Sequence, residues 1–209
     1  MIINVLGDSI TQGAAASSVD RTFVSLLGKY LNCTVHNNGI SATRIAKQIT
    51  PSFDPAWDNF FGQRVKDLDP KADLTIVFGG TNDYGHGDAP IGKVNDQNPE
   101  TFCGGVNYLI NKLLKKYDKK QLLFILPLYR INEENPYGEG AKRKPSLTLQ
   151  GYRDLMLEII NKYDIDVFDV KDLMGRPEET DLYQDGLHPN DKGHQKLAEL
   201  LSDYIKAKK

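Results

Sequence analysis

The sequence has few cysteines and no cysteine pair. Cys33 and Cys103 are its only two cysteines, and neither belongs to a C-x-x-C motif. A disulfide framework or a zinc site needs more cysteines at closer spacing. We therefore expect two buried free thiols in a reducing compartment.

The sequence also lacks a strong charge of either sign and a long apolar run. Its net charge is −2, and its Lys and Arg residues are scattered except in KKYDKK and AKRKP, so no nucleic-acid partner is expected. The apolar run over residues 2–6 is too short for a signal peptide and has no basic leader. For the sequence as it stands, this predicts a cytoplasmic protein with no membrane span.

Composition and periodicity predict one α/β domain over residues 1–209. Hydrophobic residues make up 40% of the chain and charged residues 26%, which is typical of a globular protein. Short apolar runs bounded by turn residues predict buried parallel strands near 2–6, 33–37, 72–80, 121–128 and 165–170. Apolar residues at helical spacing predict helices over 22–31, 106–117, 147–163 and 190–207. The alternation indicates a parallel sheet of about five strands with helices on both faces.

The stretch GDSITQG directly after the first strand has three interpretations. Ser, Thr and Asp are common helix caps, glycine-rich turns bind phosphate, and a serine at the end of a strand can act as a nucleophile. A nucleophilic Ser9 would need a histidine base and an orienting carboxylate elsewhere in the chain.

His188 is the best of four histidines for that role. His36 lies in or just after a strand, His86 lies in a polar loop, and His194 falls in a helix predicted to be amphipathic and exposed. His188 follows Asp185 by three residues in DGLHP, where Gly186 permits a tight bend and Pro189 suits the first helical turn. Asp185 could then accept from Nδ1 while Nε2 faces a serine. A simple capping turn is the other interpretation.

Two further stretches offer donors for an oxyanion. Gly39 in NNGISA could present its backbone N–H closely to a ligand, and Asn82 in FGGTND could donate its side-chain amide. Taken singly, Gly39 could be a turn residue and Asn82 a helix cap. Since all four stretches follow strands of a parallel sheet, they are expected to meet at one edge.

These residues resemble a known family. GDSIT, NNG, GGTND and DGLHP are similar, in order, to the four sequence blocks of the SGNH hydrolases, also called GDSL esterases and lipases. Ile10 replaces the leucine of the family name. The resemblance implies a flavodoxin-like, three-layer α/β/α sandwich. It also implies a triad of Ser9, His188 and Asp185.

The same resemblance implies an oxyanion hole made by the Ser9 N–H, the Gly39 N–H and the Asn82 side chain. It further implies hydrolysis of small-molecule esters through an acyl-enzyme, with no metal or organic cofactor. Asp8 is then left as a structural residue of the turn.

Three other functions compete with this one. A phosphate-binding loop lacks support because neither a Walker A nor a G-x-G-x-x-G pattern is present. A metal-dependent phosphoesterase could use Asp8, Asn82, Asp83, Asp185 and His188, although histidines are few and no D-x-H pair accompanies Asp8. A non-catalytic carbohydrate-binding protein could share the fold.

The substrate is predicted from the loops over residues 84–100 and 129–146. Both are polar, with aromatic residues interspersed, and Tyr84 and His86 are candidate substrate contacts. A polar rim favours short-chain, acetyl esters of a polar or sugar alcohol over a long acyl chain. Lysophospholipase or thioesterase activity is the alternative within the family.

Overall fold

All five predicted strands are present and form one parallel sheet. The computed structural model describes residues 1–140, 142 and 144–208. The strands lie in the order β2-β1-β3-β4-β5, the flavodoxin-like order. They are β1 (Ile2–Gly7), β2 (Thr34–Gly39), β3 (Leu74–Phe78), β4 (Leu122–Ile125) and β5 (Asp166–Phe168).

The described residues form four long α-helices and four short ones, of which the last two along the chain follow β5. The long helices are α2 (Phe23–Leu31), α5 (Phe102–Leu114), α6 (Leu149–Lys162) and α8 (Asp191–Ala207). The short ones are α1 (Ser9–Gln12), α3 (Phe61–Arg64), α4 (Thr81–Gly85) and α7 (Lys171–Met174). A capping side chain begins each long helix and accepts a backbone N–H of its first turn: Thr22, Thr101, Thr148 and Asn190. None of the helices described is long and apolar enough to cross a membrane.

The sheet separates two apolar cores. Leu6 and Val77 face the core beneath α5 and α6, whereas Ile3, Val5 and Ile76 face the core beneath α2 and α8. Successive side chains of a strand point to opposite faces, so each central strand contributes to both layers. The predicted three-layer α/β/α sandwich is confirmed.

The last helix differs from its prediction at two positions. It begins at Asp191, with Asn190 as its cap, so His188 lies in the preceding loop rather than in a first helical turn. His194 is buried instead of exposed, and its two ring nitrogens bond the Phe23 N–H and the Ala14 carbonyl. The prediction of an exposed His194 is therefore wrong, because this helix packs it against the segment that follows α1.

Two other expectations are refined. Cys103 is buried as expected, but Cys33 is only partly buried. The predicted substrate loop over residues 129–146 follows β4, and its residues Ala141 and Arg143 lie outside the described residues.

Candidate active site

The proposed nucleophile lies at the carboxyl end of β1, between β2 and β3 in the sheet. β1 ends at Gly7, Asp8 caps the single turn of α1, and Ser9 is the first residue of that turn. A Cβ on Gly7 would lie 1.9 Å from the Thr11 hydroxyl, and one on Gly39 would lie 2.1 Å from the Gln12 nitrogen. Only glycine allows α1 to fold this tightly onto the ends of β1 and β2.

Ser9, His188 and Asp185 form a hydrogen-bonded chain. Ser9 Oγ lies 2.9 Å from His188 Nε2, and His188 Nδ1 lies 2.7 Å from Asp185 Oδ2. An ionised carboxylate only accepts, so it favours the tautomer with the proton on Nδ1. In that tautomer, Nε2 is free to accept the proton of Ser9.

The loop before α8 fixes the carboxylate of this chain. Asp185 Oδ1 accepts the backbone N–H groups of Leu187 and His188, at 3.0 and 2.8 Å, while Gly186 turns the chain at a φ of 79°. Partial burial opposes ionisation of Asp185, but the hydrogen bonds from the backbone and ring of His188 outweigh it, so the pKa is lowered. Asp185 is therefore an anion at neutral pH.

The predicted oxyanion donors differ in whether their N–H groups already have an acceptor. Asn82 lies in α4 and donates one amide N–H to the Thr43 carbonyl at 3.0 Å, and no described residue accepts from its second N–H. The Gly39 N–H, however, donates to Asn37 Oδ1 at 2.9 Å. Among the described residues, nothing accepts from the Ser9 or Ala42 backbone N–H. Gly39 could serve an oxyanion only after its bond to Asn37 breaks.

A buried arginine links the segments that surround the nucleophile. Arg64, 6% exposed, donates to the carbonyls of Gly7 and Asn38 and to the Thr43 hydroxyl. These acceptors belong to the end of β1, the end of β2 and the turn that follows. Arg64 therefore fixes the relative positions of the candidate site residues on all three.

Asp83 also fixes the segment that follows β2. Its carboxylate accepts the backbone N–H groups of Ile45 and Ala46, both at 2.9 Å. Burial raises the pKa of Asp83 to about 6 against the lowering effect of these bonds. Asn82 and Asp83 together anchor the segment after β2 to α4.

His86 and Tyr84, the predicted substrate contacts, have different environments. His86 Nδ1 lies 2.6 Å from Arg44 Nη2, which can only donate, so the ring proton is on Nε2. Burial and the Arg44 charge lower the pKa of His86 to about 4. Tyr84 is 1% exposed, and its hydroxyl donates to the Asn132 and Asn135 carbonyls. Tyr84 is thus held within the fold, and its contact with substrate stays a prediction.

A cavity lies beside the Ser9-His188-Asp185 chain. Its volume is about 370 Å³, and we call it the loop pocket. It is lined by Arg130, Ile131, Asn132, Gly138, Glu139, Asp185, Leu187 and His188. A ligand in the loop pocket would touch the proposed base directly.

One protein-family model matches most of this chain. The model of the GDSL-like lipase/acylhydrolase family matches residues 5–196. The chain belongs to this family. As a GDSL-like hydrolase it is a carboxylic ester hydrolase that acts on small-molecule esters.

Solved structures agree with the fold of this GDSL-like hydrolase. A protein from Lactobacillus plantarum is 24% identical with a TM-score of 0.81, and 98% of this chain and 96% of that chain are covered. The native aryl esterase of M. smegmatis is 16% identical, and Est24, a carbohydrate acetylesterase from Sinorhizobium meliloti, is 17% identical. For each of these two the TM-score is 0.71, and 99% of this chain and 98% of that chain are covered. A search of curated protein sequences found no match.

Two residues that support the site of this GDSL-like hydrolase, Arg64 and Asp83, have no local sequence signal for that role. Arg64 and Asp83 act on backbone groups that are distant in sequence, so their roles depend on the tertiary fold. Among the described residues, no group of three His, Cys, Asp or Glu side chains is arranged to bind a metal ion.

Proposed function

We propose that this GDSL-like hydrolase cleaves short-chain, acetyl-type esters of polar alcohols with Ser9 as its nucleophile. The observation that supports this most directly is the continuous hydrogen-bonded chain from Ser9 Oγ through His188 to Asp185. A serine hydroxyl is a weak nucleophile at neutral pH, and such a chain is the arrangement that activates it.

The proposed reaction has two steps. His188 Nε2 takes the proton of Ser9 Oγ while Oγ attacks the ester carbonyl carbon. The bond to the alcohol oxygen then breaks, and His188 returns the proton to the leaving alcohol. Water attacks the acyl-enzyme with the same base, which releases the acid and restores Ser9. Asp185 stabilises the imidazolium in both steps.

The developing oxyanion would be stabilised by Asn82 and by backbone donors. The second amide N–H of Asn82 and the Ser9 N–H are both available. For the remaining donor we favour Ala42 over Gly39, because Ala42 directly precedes Thr43, whose carbonyl accepts from Asn82, whereas the Gly39 N–H is already bonded to Asn37. Each such donor is expected to contribute roughly 10²–10³-fold to the rate.

The loop pocket supports a polar alcohol as the leaving group. Arg130 and Glu139 form an ion pair in its wall, which suits an alcohol that bears hydroxyl groups better than an apolar one. One structural neighbour is a carbohydrate acetylesterase and another an aryl esterase. At 17% and 16% identity they show the fold alone, so the proposal rests on the pocket.

A Ser9→Ala variant tests the nucleophile. We expect hydrolysis of p-nitrophenyl acetate to fall by about 10⁶-fold, as when the serine of a comparable triad is removed. A fluorophosphonate probe should label the wild-type protein and not the variant. Ser18→Ala, which changes an exposed serine of the same region, is the matched control and should keep full activity. Full activity in Ser9→Ala would exclude Ser9 as the nucleophile.

A series of p-nitrophenyl esters of increasing acyl length tests the substrate class. We expect kcat/KM to be highest for acetyl, together with release of acetate from an acetylated sugar. A maximum at long acyl chains would instead support the lysophospholipase or thioesterase alternative.

A further inference from the structure

We propose that Glu139 selects the alcohol half of the ester, its carboxylate accepting hydrogen bonds from the hydroxyl groups of a sugar or polyol bound in the loop pocket. The inference rests on the proposed esterase function. It adds a specificity-determining residue outside the triad and the oxyanion hole.

The location of the loop pocket assigns it to the leaving group. Asp185, His188 and Glu139 all line the loop pocket. In the proposed reaction His188 must return a proton to the departing alcohol oxygen, so the alcohol has to lie against this histidine. A group that fills the loop pocket meets that requirement.

The backbone places Glu139 firmly beside the helix that contains Asn82. The Glu139 N–H donates to the Gly85 carbonyl at 2.8 Å. The preceding residue, Gly138, has a φ of 61°, and a Cβ there would lie 2.2 Å from the same carbonyl. Glycine at position 138 thus permits the close approach of this loop to α4, and Glu139 is fixed relative to the reaction centre.

The Glu139 carboxylate retains an unused acceptor. Glu139 Oε1 accepts from Arg130 Nη2, while no described residue donates to Oε2, and the side chain is 42% exposed. Arg130 is 5% exposed and is bonded to Thr81 as well, so it cannot turn away from the pair. The charge of Glu139 is balanced by Arg130, which favours neutral hydroxyl donors over a cationic alcohol.

Aliphatic side chains in the wall of the loop pocket suit the face of a sugar ring. Ile131, 38% exposed, and the half-buried Leu187 supply aliphatic surface to the loop pocket. A pyranose ring presents C–H groups on its faces and hydroxyl groups at its edge. The loop pocket, at about 370 Å³, is large enough for such a ring and pairs an aliphatic wall with a carboxylate.

The test compares two acetyl esters that differ only in their alcohol. A mono-acetylated glucose offers free hydroxyl groups, whereas p-nitrophenyl acetate offers none. For the wild type, Glu139→Ala and Glu139→Gln, the ratio of kcat/KM for the sugar ester to kcat/KM for the aryl ester is measured. We expect Glu139→Ala to lower this ratio about 10–100-fold, mainly through KM of the sugar ester, as for the loss of one or two hydrogen bonds to a charged acceptor. Glu139→Gln, which keeps the size and one acceptor, should lower it less.

The controls separate this inference from the proposed function. Glu134→Gln removes the same charge from an exposed position of the same loop and should leave the ratio unchanged. An unchanged ratio in both Glu139 variants, an equal loss on both esters, or a wild type that cleaves only the aryl ester would overturn the role of Glu139. Absence of Ser9-dependent hydrolysis of either ester by the wild type would instead overturn the proposed function itself.

Discussion

The buried carboxyl group beside the nucleophile makes a quantitative prediction about stability. Asp8 is 2% exposed and accepts the Ile10 N–H at 3.1 Å. Burial is the largest influence on this group and raises its pKa from 3.8 to about 7. Asp8→Asn keeps an oxygen for the Ile10 N–H and removes the ionisation, so it isolates the effect of this one group.

The sign and size of the effect follow from proton linkage. Between pH 3.8 and about 7 the folded protein binds a proton at Asp8 that the unfolded chain has lost, so stability falls as the pH rises. The slope is about 1.4 kcal/mol per pH unit for one proton. From pH 5 to the folded pKa of about 7, this amounts to about 3 kcal/mol of lost unfolding free energy.

Urea unfolding at pH 5 and pH 8 measures this difference. We expect the free energy of unfolding of Asp8→Asn to fall less than that of the wild type between the two pH values, by about 3 kcal/mol. Other titrating groups, such as Asp83 and His86, cancel in the comparison because both proteins contain them. Asp20→Asn, at an exposed position, is the control and should follow the wild type. Equal pH dependence in Asp8→Asn and the wild type would refute the reasoning.

Two further predictions concern the base and the last helix. Asp185→Asn removes the carboxylate that fixes the tautomer of His188. We expect kcat in steady-state assays to fall by about 10⁴-fold with little change in fold. A loss of less than tenfold would argue against the triad. His194→Ala leaves the Phe23 N–H and the Ala14 carbonyl without their partner. It should lower the free energy of urea unfolding by roughly 2–4 kcal/mol. His36→Ala, at an exposed position, is the control and should change the free energy of unfolding by less than about 1 kcal/mol. Equal effects of the two substitutions would show that the hydrogen bonds of His194 do not stabilise the fold.

Strands and long helices could be predicted because their patterns are local. The apolar run ADLTIVFGG contains β3, Leu74–Phe78, and the spacing of apolar residues over 147–163 contains α6, Leu149–Lys162. Each element shows in its own residues which face is buried. The bounds were less accurate, since capping side chains such as Asn190 decide where a helix begins.

The candidate site was predictable only where its residues follow strand ends. Ser9 and Asn82 lie directly after β1 and shortly after β3, so a parallel sheet brings their segments to one edge. The engagement of the Gly39 N–H by Asn37 could not be predicted in this way, because it depends on one side-chain rotamer. The roles of the triad and oxyanion-hole residues stay predictions, which the variants test: Ser9, Gly39, Asn82, Asp185 and His188.

The burial of His194 follows from its position in the sequence of α8. His194 precedes Leu197, Ala198 and Leu201 by three, four and seven residues, so it shares their buried face of α8. The spacing of these apolar residues therefore predicts that His194 is buried. Arg64 had no comparable signal, because its three acceptors lie on separate segments that only the folded chain assembles.

Ser9 and His188 are 179 residues apart in sequence, although their side chains are in contact. The nucleophile belongs to the first strand-helix connection and its base to the loop before the last helix. A chain divided within residues 129–146 would thus leave neither fragment with a complete reaction centre. Ester hydrolysis by a mixture of the two fragments would report their association, which makes this protein a natural candidate for a split-enzyme sensor.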